Sequence, residues 1–215
     1  MVIRSWFLLI LTFLIAALSQ AQYRESDWAY RDEWMDVERI FKLAGVTHGD
    51  TVADVGCHEG YLSIRLARAV GEPGRVYAVD VRKDRLETLE NNASDRGISN
   101  IQTILGDYDN PHLPKGQLDV VIVMDTYHEI KSYMTVLGHL KNALKDGGRI
   151  LILEKLKEHA RDKSREEQVI SHTLSSKYVK QELTESGFTI ITEIRDMGYW
   201  EEETDKKIWL LLAQK

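Results

Sequence analysis

Four carboxylates in this chain fall at or just after the ends of short apolar runs. They are Asp54 in VADV, Asp80 closing VYAVD, Asp107 after IQTIL and Asp125 after DVVIVM. A carboxylate so placed accepts hydrogen bonds from ligand hydroxyls or ammonium groups and repels a phosphate. The first of them opens the stretch DVGCHEGYLS, residues 54–63. Gly56 and Gly60 let the backbone turn tightly and approach a ligand, and the start of a following helix offers unpaired N–H groups to an anion. A dinucleotide fingerprint needs glycines at 56, 58 and 61, but the chain has Gly56, His58 and Tyr61. A P-loop fails as well, because no Gly-Lys-Ser/Thr follows. The stretch TYHEI after Asp125 adds an imidazole. His128, with an unperturbed pKa of about 6.5, suits proton removal, and Tyr127 stands beside it to position an acceptor. His172 is a second possible base. The 7 histidines form no HExxH or similar cluster, so no metal site is expected, and the Cys57-His58 pair stays a minor alternative. Glu129 reads as the cap of the helix that follows.

These residues need a scaffold that brings strand ends together. Trp34, Val37, Phe41 and Ala44 recur at helical spacing, which predicts one amphipathic helix over 27–44. Apolar runs at 52–55, 76–80, 101–105, 119–124 and 149–154 predict five strands. Between them Leu62, Leu66 and Val70, then Leu86, Leu89 and Ala93, then Tyr133, Leu137, Leu140 and Leu144 mark helices, the last stopped at Asp146-Gly147-Gly148. A polar stretch over 155–163 leads into a helix through Val179 and Leu183, and strands at 188–194 and 208–213 close the chain. Nearly continuous apolar strands separated by helices signal a parallel sheet covered on both faces. The last two strands, joined by about a dozen polar residues without helical period, are expected to pair antiparallel, with 201–207 as a solvated tip. The fold class is therefore α/β: a Rossmann-like, doubly wound, seven-stranded sheet, mostly parallel, with an antiparallel C-terminal hairpin. In such sheets ligands bind beyond the carboxyl ends of the strands, where strand order reverses.

Composition narrows the function classes. The chain has 215 residues, 43% of them hydrophobic and 29% charged, with a net charge of −6. One globular domain accounts for that length, and the acidic balance argues against a broad face for nucleic acid. The lone Cys57 excludes an internal disulfide and any zinc site built from several cysteines. Residues 1–21 combine Arg4, a 13-residue apolar run from Trp6 to Leu18, and small residues at Ser19 and Ala21. That is the pattern of a secretory signal cut after Ala21, leaving a domain over 22–215 and an exported (periplasmic or secreted) protein. The run is shorter than the roughly 20 residues a bilayer span needs, so an uncleaved membrane anchor is the second reading.

The spacing of Gly56 and Gly60 fits the GxGxG loop of S-adenosylmethionine enzymes, with His58 in the place of the middle glycine. From Arg31 to Lys155 the chain resembles the class I S-adenosylmethionine-dependent methyltransferases, and within them the small-molecule enzymes related to ubiquinone/menaquinone biosynthesis. The likeness rests on DEWM, GDTVADVGCHEGYLSIRLA, GRVYAVDV, LGDYDNPHLP, DVVIVMDTYHEI and LKDGGRILILE, in that order. It implies that Asp54 orients the glycine loop near the cofactor's amino group, and that Gly56, His58 and Gly60 pass backbone close to it. Asp80 and Val81 would hold the ribose, and Gly106, Asp107 and Tyr108 would hold the adenine. Asp125 would face the methyl group and the substrate. It also implies a small-molecule methyl acceptor, and the segment 159–178 is read as the substrate cover because it follows strand five on the same rim. Trp28, Tyr30 and Trp34 are read as core or interface, with covering the cofactor as their other role. A non-catalytic exported relative with a degenerate cofactor site is the alternative function. A nicotinamide oxidoreductase is the third and is disfavoured by the failed fingerprint.

Overall fold

The computed structural model describes residues 24–215, so the leader expected over 1–21 lies outside the described residues. Strands β1 (Thr51–Val55), β2 (Arg75–Asp80), β3 (Ile101–Leu105), β4 (Leu118–Met124), β5 (Leu144–Lys157), β6 (Thr189–Ile194) and β7 (Lys206–Gln214) form one sheet in the order β3-β2-β1-β4-β5-β7-β6. The first five are mutually parallel, and β7 lies antiparallel to both β5 and β6. From β1 the chain winds outward through β2 to β3, then crosses back to place β4 on the other side of β1. Strand order therefore reverses between β1 and β4, and the cleft beyond their carboxyl ends is where such a sheet opens for ligands.

Alternation explains why these strands read as unbroken apolar runs. Val52, Val76, Val120, Ile122 and Leu151 enter one core with α2 (Val37–Ala44) and α3 (Tyr61–Val70). Their neighbours Ala53, Tyr77, Val121, Val123 and Ile152 enter a second core with α5 (Tyr133–Ala143) and α7 (Ser176–Glu185). Ala78 lies on the first face, under Leu86 and Leu89 of α4 (Lys83–Ser94). A fully buried Leu or Ile contributes about 1.5–3 kcal/mol, so apolar residues are favoured on both faces of every central strand.

The single helix expected over 27–44 is two: α1 (Trp28–Trp34) and α2. Met35 is extended, and Asp36 starts the second helix by accepting the Arg39 N–H at 2.9 Å. The apolar spacing ran on through the break, but the local cap outweighed it. Leu144, expected in a helix, opens β5 instead, because it pairs with Leu118 of β4. A short helix α6 (Arg165–Ile170), begun by a Ser164–Glu167 capping box, precedes α7. The tip between β6 and β7 is solvent-exposed at Glu202 to Asp205, but Trp200 just before it folds inward and is buried. Among the described residues no helix is long and apolar enough to cross a membrane.

Candidate functional site

The glycine turn after β1 is built by close approach. Gly56 has φ +81°, and a Cβ there would lie 2.3 Å from the Thr126 side chain, so the turns after β1 and β4 touch at this point. Gly60 has φ +97° and starts α3, where a Cβ would strike Leu89. Between them His58 also adopts a left-handed φ of +49°, which is why a glycine is at home there. The turn is held from outside: the N–H groups of Gly56 and Cys57 donate to the Val79 carbonyl at 2.8 and 3.0 Å. Cys57 is buried, and burial pushes its thiol up, so the Cys57-His58 pair is ill suited to metal binding. Asp54 is buried behind the loop and accepts the Ser63 hydroxyl at 2.6 Å. Burial raises its carboxyl to about 6, against the lowering effects of the Ser63 hydrogen bond and the Arg31 charge.

Asp80 bridges two turns at the end of β2. One carboxylate oxygen accepts the His58 N–H and the other the Arg82 N–H, both at 2.9 Å. Each oxygen keeps a further lone-pair site for a ligand hydroxyl. Val81 beside it is exposed, as are Leu105 and Tyr108 at the end of β3. Gly106 is buried and donates to the Asp80 carbonyl at 3.0 Å. Asp107 is exposed and pairs with His112 at 2.8 Å. The edge beyond β2 and β3 thus offers apolar surface next to acceptors.

Beyond β4 and β5 the site is more tightly engaged. Asp125, with φ +50°, is buried with its carboxylate on the ammonium of Lys155, whose Nζ lies 4.7 Å from the Trp200 ring centre. That carboxylate, expected to face methyl group and substrate, is taken into a buried ion pair. His128 is buried too, and its Nδ1 lies 2.9 Å from both oxygens of Glu154, which also accepts its backbone N–H at 3.1 Å. Burial works against the charged imidazolium, but the Glu154 charge and hydrogen bond with the Asp125 charge outweigh it, so the His128 pKa is raised. With Nδ1 committed, Nε2 is the ring nitrogen left for chemistry. Tyr127 corrects the expectation that it positions an acceptor. Its side chain is fully buried in the second core, and its hydroxyl donates to Glu182 at 2.8 Å, while the other Glu182 oxygen accepts from Arg165 at 2.6 Å. Glu129 does not cap α5 either. It belongs to a turn of 3₁₀ helix with its carboxylate exposed, and its Oε1 stands 3.9 Å from His128 Nε2.

A cover made of distant segments lies over the glycine turn. Arg31 of α1 is buried, with its guanidinium 4.3 Å from the Tyr61 ring centre and 5.0 Å from that of Trp200. Trp34 packs on Trp200 at 4.9 Å, Trp28 meets Tyr61 edge to face, and Tyr30 remains exposed with its hydroxyl donating to the Glu201 carbonyl. Glu59 in the turn holds the start of this segment by accepting the Glu25 N–H at 3.1 Å, and is itself paired with the Arg85 guanidinium of α4. His172, on the segment 159–178, stands against His128. A cleft of about 650 Å³ between 71–75 and 97–102 opens at the opposite ends of β2 and β3, away from all these groups.

The sheet therefore gathers Asp54, Gly56, His58, Gly60 and Asp80 around one turn, with Gly106 to Tyr108 on one side and His128 on the other. Arg31, Glu154, Lys155, Glu182 and Trp200 were not singled out from sequence. The buried ends of a strand carrying Glu154 and Lys155 were the available signal, since charges are placed there only with partners.

Residues 47–187 match the model of a family described as a methyltransferase domain. Over 117 residues the chain is 32% identical to a demethylmenaquinone methyltransferase of Geobacillus sp. (strain WCH70), covering 54% of this chain and 50% of that one. It is 29% identical over 114 residues to a ubiquinone/menaquinone biosynthesis C-methyltransferase of Azotobacter vinelandii, covering 53% and 45%. The chain spans about half the length of these relatives. Its fold is similar to the crystal structure of a SAM-dependent methyltransferase from Aquifex aeolicus, with TM-score 0.72 and 26% identity over 86% of this chain and 92% of that one.

Proposed function

Because the chain belongs to the methyltransferase-domain family, we propose that it transfers a methyl group from S-adenosylmethionine to a small-molecule acceptor. The observation that carries this reading is Asp80, whose two oxygens each retain a lone pair at the mouth of the glycine turn. A vicinal pair of ribose hydroxyls fits those acceptors. Val81, Leu105 and Tyr108 supply apolar surface for a purine, and Asp54 with Arg31 supplies the opposite charges that an amino acid end requires. The cofactor supplies an electrophilic methyl group on a sulfonium.

The chain's own residues then have to hold two reactants in line and deal with the acceptor's proton. Gly56 permits the closest backbone approach, and the cover of Arg31, Tyr61 and Trp200 keeps water from the turn. On the acceptor side His128 offers Nε2, with Glu154 fixing the ring through Nδ1. A demethylmenaquinone, the acceptor in the name of a relative, is the first compound to assay. Its reduced form carries hydroxyls whose deprotonation assists carbon methylation.

The test is calorimetric titration with S-adenosylmethionine, followed by turnover with reduced demethylmenaquinone. Saturable binding with one cofactor per chain is expected. His128→Ala should lower turnover about 100-fold while leaving cofactor affinity unchanged. Absence of cofactor binding in the parent defeats the reading. Export is part of the same proposal and rests on the apolar run at 6–18 and the small residues at 19 and 21. N-terminal sequencing of the native protein should begin near Gln22, and an intact Met1 in a membrane pellet would favour the anchor.

A further inference from the structure

Three donor atoms suited to a metal converge at the rim beyond β4, one each from His128, Glu129 and His172, all within 4.8 Å of one another. His128 Nε2 stands 3.9 Å from Glu129 Oε1, and the rings of His128 and His172 meet edge to face with centres 6.1 Å apart. We infer that His128, Glu129 and His172 form a binding site for a divalent transition-metal cation of the Zn²⁺ class.

The donor set selects the cation. Two imidazoles and one carboxylate suit zinc and its neighbours in three-ligand sites that keep a coordination position open, whereas Mg²⁺ and Ca²⁺ prefer oxygen alone. The surroundings are those of a ligating histidine as well. His128 Nδ1 is bonded to Glu154, a carboxylate with no exposed surface, which fixes the ring and turns Nε2 toward the other two donors. His172 is exposed, yet the residues next to it are anchored. The Thr173 hydroxyl donates to the Lys155 carbonyl at 2.7 Å and accepts the Lys157 N–H at 2.9 Å, and the Leu174 N–H donates to the same Lys155 carbonyl at 3.2 Å. Two ligands thus stand on one turn after β4 and the third on a turn stitched to β5. A second group, Asp125, His128 and Glu154, is fully buried, and the Lys155 ammonium already holds Asp125, so a cation is better served at the rim.

Thr126, two residues before His128, lies against Gly56, so the turn that carries two of these donors meets the glycine turn. A bound cation would offer its open position to a water or an oxygen of the acceptor, and the base role given to His128 Nε2 above belongs to the cation-free site. That duty toward the acceptor rests on the methyl-transfer reading, while the site itself rests only on the donors.

The test uses the full chain stripped with a chelator and titrated with Zn²⁺, with Mg²⁺ in parallel. One Zn²⁺ per chain and no saturable Mg²⁺ binding are expected. Affinity should fall by about tenfold or more in His172→Ala and in Glu129→Gln, both exposed positions whose replacement leaves the core intact. It should stay at the parent level in His112→Ala, which removes the imidazole beside Asp107. Absence of saturable Zn²⁺ binding, or equal affinity in parent and in the His172 and Glu129 variants, overturns the inference. S-adenosylmethionine titrated into the same samples keeps the two readings apart. Zn²⁺ binding without cofactor binding would support the cation site and count only against methyl transfer.

Discussion

Truncating Asp80 separates a ligand contact from a loop staple. In Asp80→Ala two backbone N–H groups, those of His58 and Arg82, lose acceptors at 2.9 Å. Asp80 is only half-buried, so water replaces much of that loss, and the fold without cofactor should weaken by about 1–2 kcal/mol. The remaining lone pairs are those assigned to two ribose hydroxyls. A hydrogen bond to a charged group contributes about 1.5–3 kcal/mol, and partial rehydration of the truncated site brings the expected loss for the pair to about 2–4 kcal/mol. At about 1.4 kcal/mol per tenfold, the dissociation constant should rise from about 30-fold to several hundredfold. Calorimetric titration with S-adenosylhomocysteine measures it, and denaturant unfolding without ligand measures the staple. A 2′-deoxy analogue adds a control, because it should bind the parent more weakly than the full ligand, whereas Asp80→Ala should scarcely distinguish the two. A dissociation constant within about twofold of the parent, alongside a lowered unfolding midpoint, would refute the ribose assignment and leave Asp80 as a staple.

Asp54 carries a pH signature. Its folded pKa of about 6 lies above the ordinary value of 3.8, so the folded state holds this proton more tightly. On Asp54's account stability is highest below about pH 4, falls as pH rises to about 6 and is level beyond. Denaturant unfolding of parent and Asp54→Asn across this range should show the extra fall in the parent only. Tyr127→Phe removes the hydroxyl bonded to Glu182, which keeps Arg165 as partner. A stability loss of about 1 kcal/mol with unchanged turnover is expected, and a large drop in turnover would return Tyr127 to the acceptor site. Lys155→Met leaves the Asp125 carboxylate buried without its ammonium and should destabilise the fold by about 3 kcal/mol or more by the same unfolding assay.

What the sequence alone determined is what short-range pattern encodes. Apolar runs of strand length, helical spacing between them, and glycines at 56 and 60 depend on residues a few positions apart, so the strands, most helices and the acidic strand ends could be read directly. The break at Met35 escaped because one cap overruled a pattern that continued on both sides of it. Tertiary structure alone decided which charges meet. Parallel register sets Met124 of β4 against Leu153 of β5, and that alignment carries Asp125 and His128 past the end of one strand to Lys155 and Glu154 of the next. Arg31 and Trp200 come together across 169 positions of chain, and His128 and His172 across 44, by the same folding of distant segments onto one rim. No local periodicity reports such pairings, because a buried charge is stable only beside a partner whose position the strand order chooses.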